Sequence, residues 1–109
     1  MSQQYQVIWM PVAQRDLRSV ISRIADDNPH TALKIASKIH SKAALLYRFP
    51  LRCRRIPELK NMPDLSFREL IISPWRLMYR IHKKRVEILA FFDGRQDLHE
   101  ILFERLSRS

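Results

Sequence analysis

The side chains able to do chemistry in this chain are mostly guanidinium and ammonium groups, and the densest arrangement is the run "WRLMYRIH", residues 75–82. Alternation along a strand sets Arg76, Arg80 and His82 on one face with Met78, and Trp75, Leu77, Tyr79 and Ile81 on the other. Guanidinium groups fixed on a stiff strand can hold phosphate or carboxylate oxygens in bidentate geometry. The same pattern also describes a half-buried sheet with its charged face in water. Arg95 follows Asp93 and Gly94 at the exit of the last strand. There it either joins Arg76 in one cationic cleft or pairs with Asp97 or a helix end. His30, Lys34, Lys38 and Lys42 recur every fourth residue and make one basic stripe on a helix, a solvated face or a docking line for an acidic segment.

Other chemistries lack their residues. His30, His40, His82 and His99 have no ligand spacing, and no zinc pattern is present, so no metal site is expected. Cys53 is the single cysteine, which excludes an intrachain disulfide. Arg52, Arg54 and Arg55 beside it would favour a thiolate if they lie close, although a structural thiol is the simpler reading. A Gly-rich phosphate loop is absent, and no cofactor is expected.

Twenty Lys and Arg against 11 Asp and Glu give a net charge of +9 over 109 residues. That balance favours nucleic acid, acidic protein or anionic lipid as partner. The charge is spread along the whole chain rather than gathered on one amphipathic helix, which argues against a membrane-surface role. No apolar run approaches the roughly 18 residues of a membrane span. The N-terminus lacks a secretory pattern, so a cytoplasmic protein is expected.

These residues need a scaffold, and one domain over residues 1–109 is expected to supply it. Gln4 to Met10 reads as a first strand that Pro11 ends. A helix follows from Pro11 to Asp27, with Ala13, Leu17, Val20, Ile21 and Ile24 at helical spacing. Asn28 and Pro29 restart the helix, Asn as cap and Pro at the first position, and Pro50 stops it after Phe49. The result is an antiparallel helical hairpin.

Pro50 to Pro63 reads as an irregular basic connector. Phe67–Ile72, Trp75–His82 and Val86–Phe92 are three strands of a meander, with a tight turn at Ser73 and Pro74. Asp97 to Leu106 reads as a short helix with Leu98, Ile101, Leu102 and Leu106 on one side. The fold class is therefore α+β: an N-terminal strand, a helical hairpin packed on a small, mainly antiparallel sheet, and a short C-terminal helix.

Four phrases in this order, "YQVIWMPVAQRDLRSVISRIA", "FPLRCRRIPEL", "FRELIISPWRLMYRI" and "VEILAFFDGRQDL", resemble the ParE and RelE toxin superfamily of bacterial type II toxin–antitoxin systems over nearly the whole chain. The resemblance implies a compact toxin held inactive by a cognate antitoxin segment, in a toxin–antitoxin hetero-oligomer. RelE-like members are ribosome-dependent nucleases that cut messenger RNA, whereas ParE-like members inhibit DNA gyrase. Arg76 and Arg95 match positions where the nucleases carry arginines, and Arg68 stands near the place of their paired lysines. Ile101 occupies the place of a tyrosine in that branch, leaving His99 as the one substitute for proton transfer. A missing proton-transfer group costs on the order of 10²- to 10⁴-fold in rate.

The helical hairpin and the missing tyrosine look more like the ParE branch. The expectation is a gyrase inhibitor with no catalytic residues, or, as the alternative, a nuclease built on Arg68, Arg76, Arg95 and His99. The surface expected to meet target or antitoxin comprises Arg76, Arg80, His82, Arg95, Lys34, Lys38, Arg54 and Arg55. A plain nucleic-acid-binding module is the third reading. Against it, Trp75 and Tyr79 fall on the strand face away from the arginines.

Overall fold

The computed structural model describes residues 4–61 and 66–107, without the side chains of 106 and 107. Pro63 at the end of the expected connector, and the side chain of Leu106, lie outside the described residues. Strand β1 is Gln6–Trp9, followed by helices α1, Pro11–Asp27, and α2, Pro29–Ala44. Strands β2, Arg54–Arg55, β3, Arg68–Ile72, β4, Trp75–His82, and β5, Arg85–Asp93, come next, and helix α3, Leu98–Ser107, is last.

Local chemistry sets these boundaries. Pro11 opens α1, where its missing N–H would have had no helical partner. Asn28 both closes α1, its N–H donating to the Ile24 carbonyl, and opens α2, its side chain accepting from the Thr31 N–H at 3.1 Å. The α-helix ends at Ala44, earlier than expected, and a single 3-10 turn, Leu45–Tyr47, carries the chain to Pro50. The remaining element ends depart from the sequence reading by one or two residues, as fraying ends do.

The five strands form one mixed sheet in the order β1-β5-β4-β3-β2, and β1 runs parallel to β5 with Val7 beside Val86 and Trp9 beside Ile88. All other pairings are antiparallel. The helical hairpin covers one face: Ala13, Leu17, Ile39, Ala43 and Leu46 pack on Ile72, Leu77, Tyr79, Val86, Ile88 and Phe91. Tyr79, with no exposed surface, donates its hydroxyl proton to the Pro50 carbonyl. Burial, with a hydrogen bond to Cys53 adding to it, pushes the phenol well above its ordinary range.

Met78 pairs with Ala90 while Tyr79 pairs with Ile88, so Leu89 is an extra residue in β5. The bulge switches the parity of the strand. Val86, Ile88 and Phe91 can all face the hairpin, while Ala90 and Phe92 turn to the opposite side. That side carries a second core, where Ile56, Leu59, Met78, Ala90 and Phe92 meet Leu98 and Leu102 of α3.

Two expectations are corrected here. The connector is not wholly irregular: Arg54 and Arg55 add a fifth strand along β3, and Pro57–Leu59 makes a 3-10 turn that buries Leu59 beside Ile56. The second face of β4 is not a solvated cationic surface throughout. Arg76 and Met78 lie under the second core, 8% and 2% exposed, and only Arg80 and His82 reach solvent.

The β4–β5 turn places Lys83 at φ 56°, the left-handed region that disfavours side chains. Lys83→Gly is expected to raise stability by about 0.5–1 kcal/mol, visible as a melting temperature a few degrees higher. An unchanged or lower value would contradict the strain assigned to this turn. Among the described residues no helix is long and apolar enough to cross a membrane.

Candidate functional site

Arg76 stands at the start of β4, with Ile71 and Phe92 as its cross-strand neighbours. Its Nε donates to Oε1 of Glu69 at 2.6 Å, while Nη1 and Nη2 donate as a fork to the two oxygens of Glu58 at 2.7 and 2.8 Å. Below them the Phe92 ring centroid lies 5.4 Å from the guanidinium carbon. Glu69 is 1% exposed and also accepts from Arg54 Nε at 2.5 Å. Two arginines and two glutamates therefore neutralise one another, which is what permits a charged group to sit in a core. The Arg76 hydrogen bonds outweigh burial at Glu58 and hold its carboxyl down at about 2, and the same pairing raises the Arg76 pKa. Gly94 closes against this arrangement, since a Cβ there would come within 3.1 Å of the Pro74 carbonyl oxygen and 3.5 Å of the Arg76 side chain.

Arg95 is 90% exposed and folds back on Asp93, with Nε and Nη2 each 3.1 Å from a carboxylate oxygen. The pairing lowers the Asp93 pKa. The expected joint cleft of Arg76 and Arg95 is thus not formed: one guanidinium is taken by Glu58 and Glu69, the other by Asp93. Arg95 does pair locally, though with Asp93 instead of Asp97. Asp97 instead accepts the backbone N–H of His99 at 2.9 Å and lies 3.5 Å from its ring Nδ1.

The remaining cations occupy separate places. Arg68 donates to the carbonyls of Leu51 and Cys53, at 3.3 and 2.7 Å, and so ties the connector to β3. Cys53 is half-buried and packs against the core under the hairpin. Arg80 and Arg85 flank Glu87 at 2.7 and 3.2 Å, which keeps that carboxyl below its ordinary range. Arg55 is exposed along β2 and His82 at the end of β4. Arg68, Arg76, Arg95 and His99 are accordingly each held by a different partner. The stripe of His30, Lys34, Lys38 and Lys42 is exposed along α2 as its spacing implied.

An open groove of about 830 Å³, without a direct sign in the sequence, runs between α1, the end of β5 and α3. Trp75, Phe91, Val20 and Ile101 contribute its apolar lining, and Arg15, Arg23, Arg95 and Arg105 share its wall with Asp16, Asp93 and Glu104. Trp75 and Phe91 meet as tilted rings, 31° between planes, at a centroid distance of 5.8 Å. Asp16 anchors the groove, accepting the Phe91 N–H at 3.0 Å and Arg105 Nη2 at 2.5 and 2.6 Å, and so joins α1 to β5 and α3. Glu58, Glu69, Asp16 and Arg105 were all missed from sequence. Glu69, an acid inside the strand-forming run "FRELII", was the available signal.

Among known proteins, the family model of the ParE toxin of type II toxin-antitoxin system, parDE, matches residues 7–98. No curated protein matches the chain by sequence. A solved structure of the chromosomal ParDE toxin–antitoxin system from P. aeruginosa superposes with a TM-score of 0.69 at 21% identity, over 84% of this chain and 98% of that one. The RelBE2 toxin–antitoxin complex from Mycobacterium tuberculosis superposes with a TM-score of 0.56 at 23% identity, over 83% of this chain and 98% of that one. At those identities the structural likeness is one of fold. The family match runs from β1 through the second core to the first residue of α3, and on that basis the chain belongs to the ParE toxin family of type II toxin–antitoxin systems.

Proposed function

We propose that this toxin acts in the cytoplasm by binding rather than by catalysis, inhibiting DNA gyrase and being neutralised by a cognate antitoxin with which it forms a hetero-oligomer. One observation carries the non-catalytic reading: every nitrogen of the Arg76 guanidinium is engaged by Glu58 or Glu69, at 2.6–2.8 Å, in a buried site. A phosphate approaching Arg76 would have to displace two carboxylates that repel it. The carboxylates beside that guanidinium, Glu58 and Glu69, are ion-paired to it, and His99 stands against Asp97, so none of these groups is free to take the place of the missing tyrosine.

The surface left for partners is the exposed one. Arg80 and His82 lie at one end of β4, Arg54 and Arg55 along the sheet edge, and Arg95 beside the groove between α1 and α3. That groove combines apolar lining with a wall of both arginines and acids, which suits an amphipathic antitoxin segment. Arg76 is withdrawn from this set by its glutamates.

The test is a supercoiling reaction holding only gyrase, relaxed plasmid, ATP and toxin freed of antitoxin. Loss of supercoiling, or accumulation of cleaved plasmid, is expected at micromolar toxin. Supercoiling that proceeds undisturbed at that concentration would overturn the proposal.

A further inference from the structure

Between Asp27 and Glu58 the chain contains no Asp or Glu, while Lys34, Lys38, Lys42, Arg48, Arg52, Arg54 and Arg55 all fall within it. Of these only Arg54 has a carboxylate partner among the described residues. Lys34, Lys38 and Lys42 stand on the exposed face of α2, opposite the buried Ala32, Ile39 and Ala43. At 1.5 Å per residue the three ammonium groups cover a line of about 12 Å. Like charges four residues apart on a helix oppose one another and weaken it slightly. The fold nevertheless keeps three in a row with no acid interleaved.

We infer that the outer face of α2 is a docking line for the phosphate backbone of duplex DNA, through Lys34, Lys38 and Lys42. Two further features favour this occupant over an acidic protein. Ser37 and Ser41, both exposed, form the row next to the lysines by helical periodicity, and small hydroxyls are common phosphate donors. A protein partner needs an apolar anchor at the centre of its footprint, and the large apolar side chain exposed in α2, Leu33, lies off the lysine line by the same periodicity. Duplex DNA carries a charge about every 1.7 Å of axis, so a straight cationic line of this length meets several phosphates and releases their counterions. Binding of this kind is indifferent to sequence. It goes beyond the gyrase reading and does not require it.

The experiment measures anisotropy of a labelled short DNA duplex titrated with full-length toxin over a range of salt concentrations. Lys34→Gln/Lys38→Gln/Lys42→Gln is compared with Lys60→Gln/Lys83→Gln/Lys84→Gln, which removes the same charge from exposed positions elsewhere. Circular dichroism confirms that both variants keep the wild-type helix content. The stripe variant is expected to flatten the slope of log K against log salt by about 2 to 3 and to lose affinity on the order of a hundredfold at 0.1 M salt. The control variant is expected to stay near wild type. Equal losses in both variants would show that net charge alone is responsible and would overturn the inference. Polyglutamate bound as tightly as the duplex would also overturn it, by pointing to an acidic protein as the occupant.

Discussion

Arg76→Ala is expected to destabilise the protein by about 3–5 kcal/mol, the cost of leaving buried charge without its partner. The substitution strips Glu69, 1% exposed, of one of its two cations and Glu58 of both ends of its fork. In urea the midpoint should fall with the slope nearly unchanged, as befits lost stability without a change in the surface exposed. Arg76→Lys should recover little, because one ammonium cannot reproduce donors directed at two carboxylates at once. A surface arginine kept for phosphate would behave differently, with its removal close to neutral for folding.

The same pairing fixes a pH dependence. Glu58 has its carboxyl lowered from 4.5 to about 2 by the Arg76 hydrogen bonds. A carboxyl depressed in the folded state contributes stability that is fully present above its unfolded value and is lost as the pH falls through its folded one. Stability should therefore decline as the pH drops from about 4.5 towards 2, and Arg76→Ala should flatten that decline. The Glu58 side chain is 32% exposed, so solvent screens part of the effect.

Asp16→Ala should be the second most costly substitution, at about 2–4 kcal/mol. It removes the acceptor of the Phe91 N–H and the carboxylate that holds Arg105. Among the described residues Arg105 Nε is buried without a hydrogen-bond partner, so the variant would also take from the guanidinium the carboxylate that holds its Nη2. Because this tie joins α3 to α1, amide exchange should speed up in α3 far more than in β4. Uniform loss of protection across the molecule would contradict that account.

The sequence made the helical hairpin legible because its signals are local. Pro11, Asn28 and Pro29 act on backbone groups within a turn of themselves, and α1 begins and ends where they place it. The strands were legible from period-two alternation in "WRLMYRIH". What local signals could not carry is the far side of the sheet. Arg76 and Arg80 look alike in sequence, but one is covered by the second core and the other is half-exposed, and the difference comes from Leu59, Leu98 and Leu102 packing beside Met78 and Phe92. The partners of Arg76 lie 7 and 18 residues away along the chain, so only the folded connector brings Glu58 into reach. The Leu89 bulge was hidden for a similar reason, since an extra residue in "VEILAFF" is visible only against its paired strand. The lysine stripe, by contrast, was fully legible, because one helix sets its spacing and its residues are exposed.

The claim on which all of this turns is that the β4 arginine belongs to the core and the toxin works by occupying a surface. Its most direct test is to add the purified toxin to translating ribosomes and map the ends of the bound message. Intact message is expected at concentrations that stop gyrase. Message cut in a pattern that vanishes with a folded Arg76 variant would contradict the account.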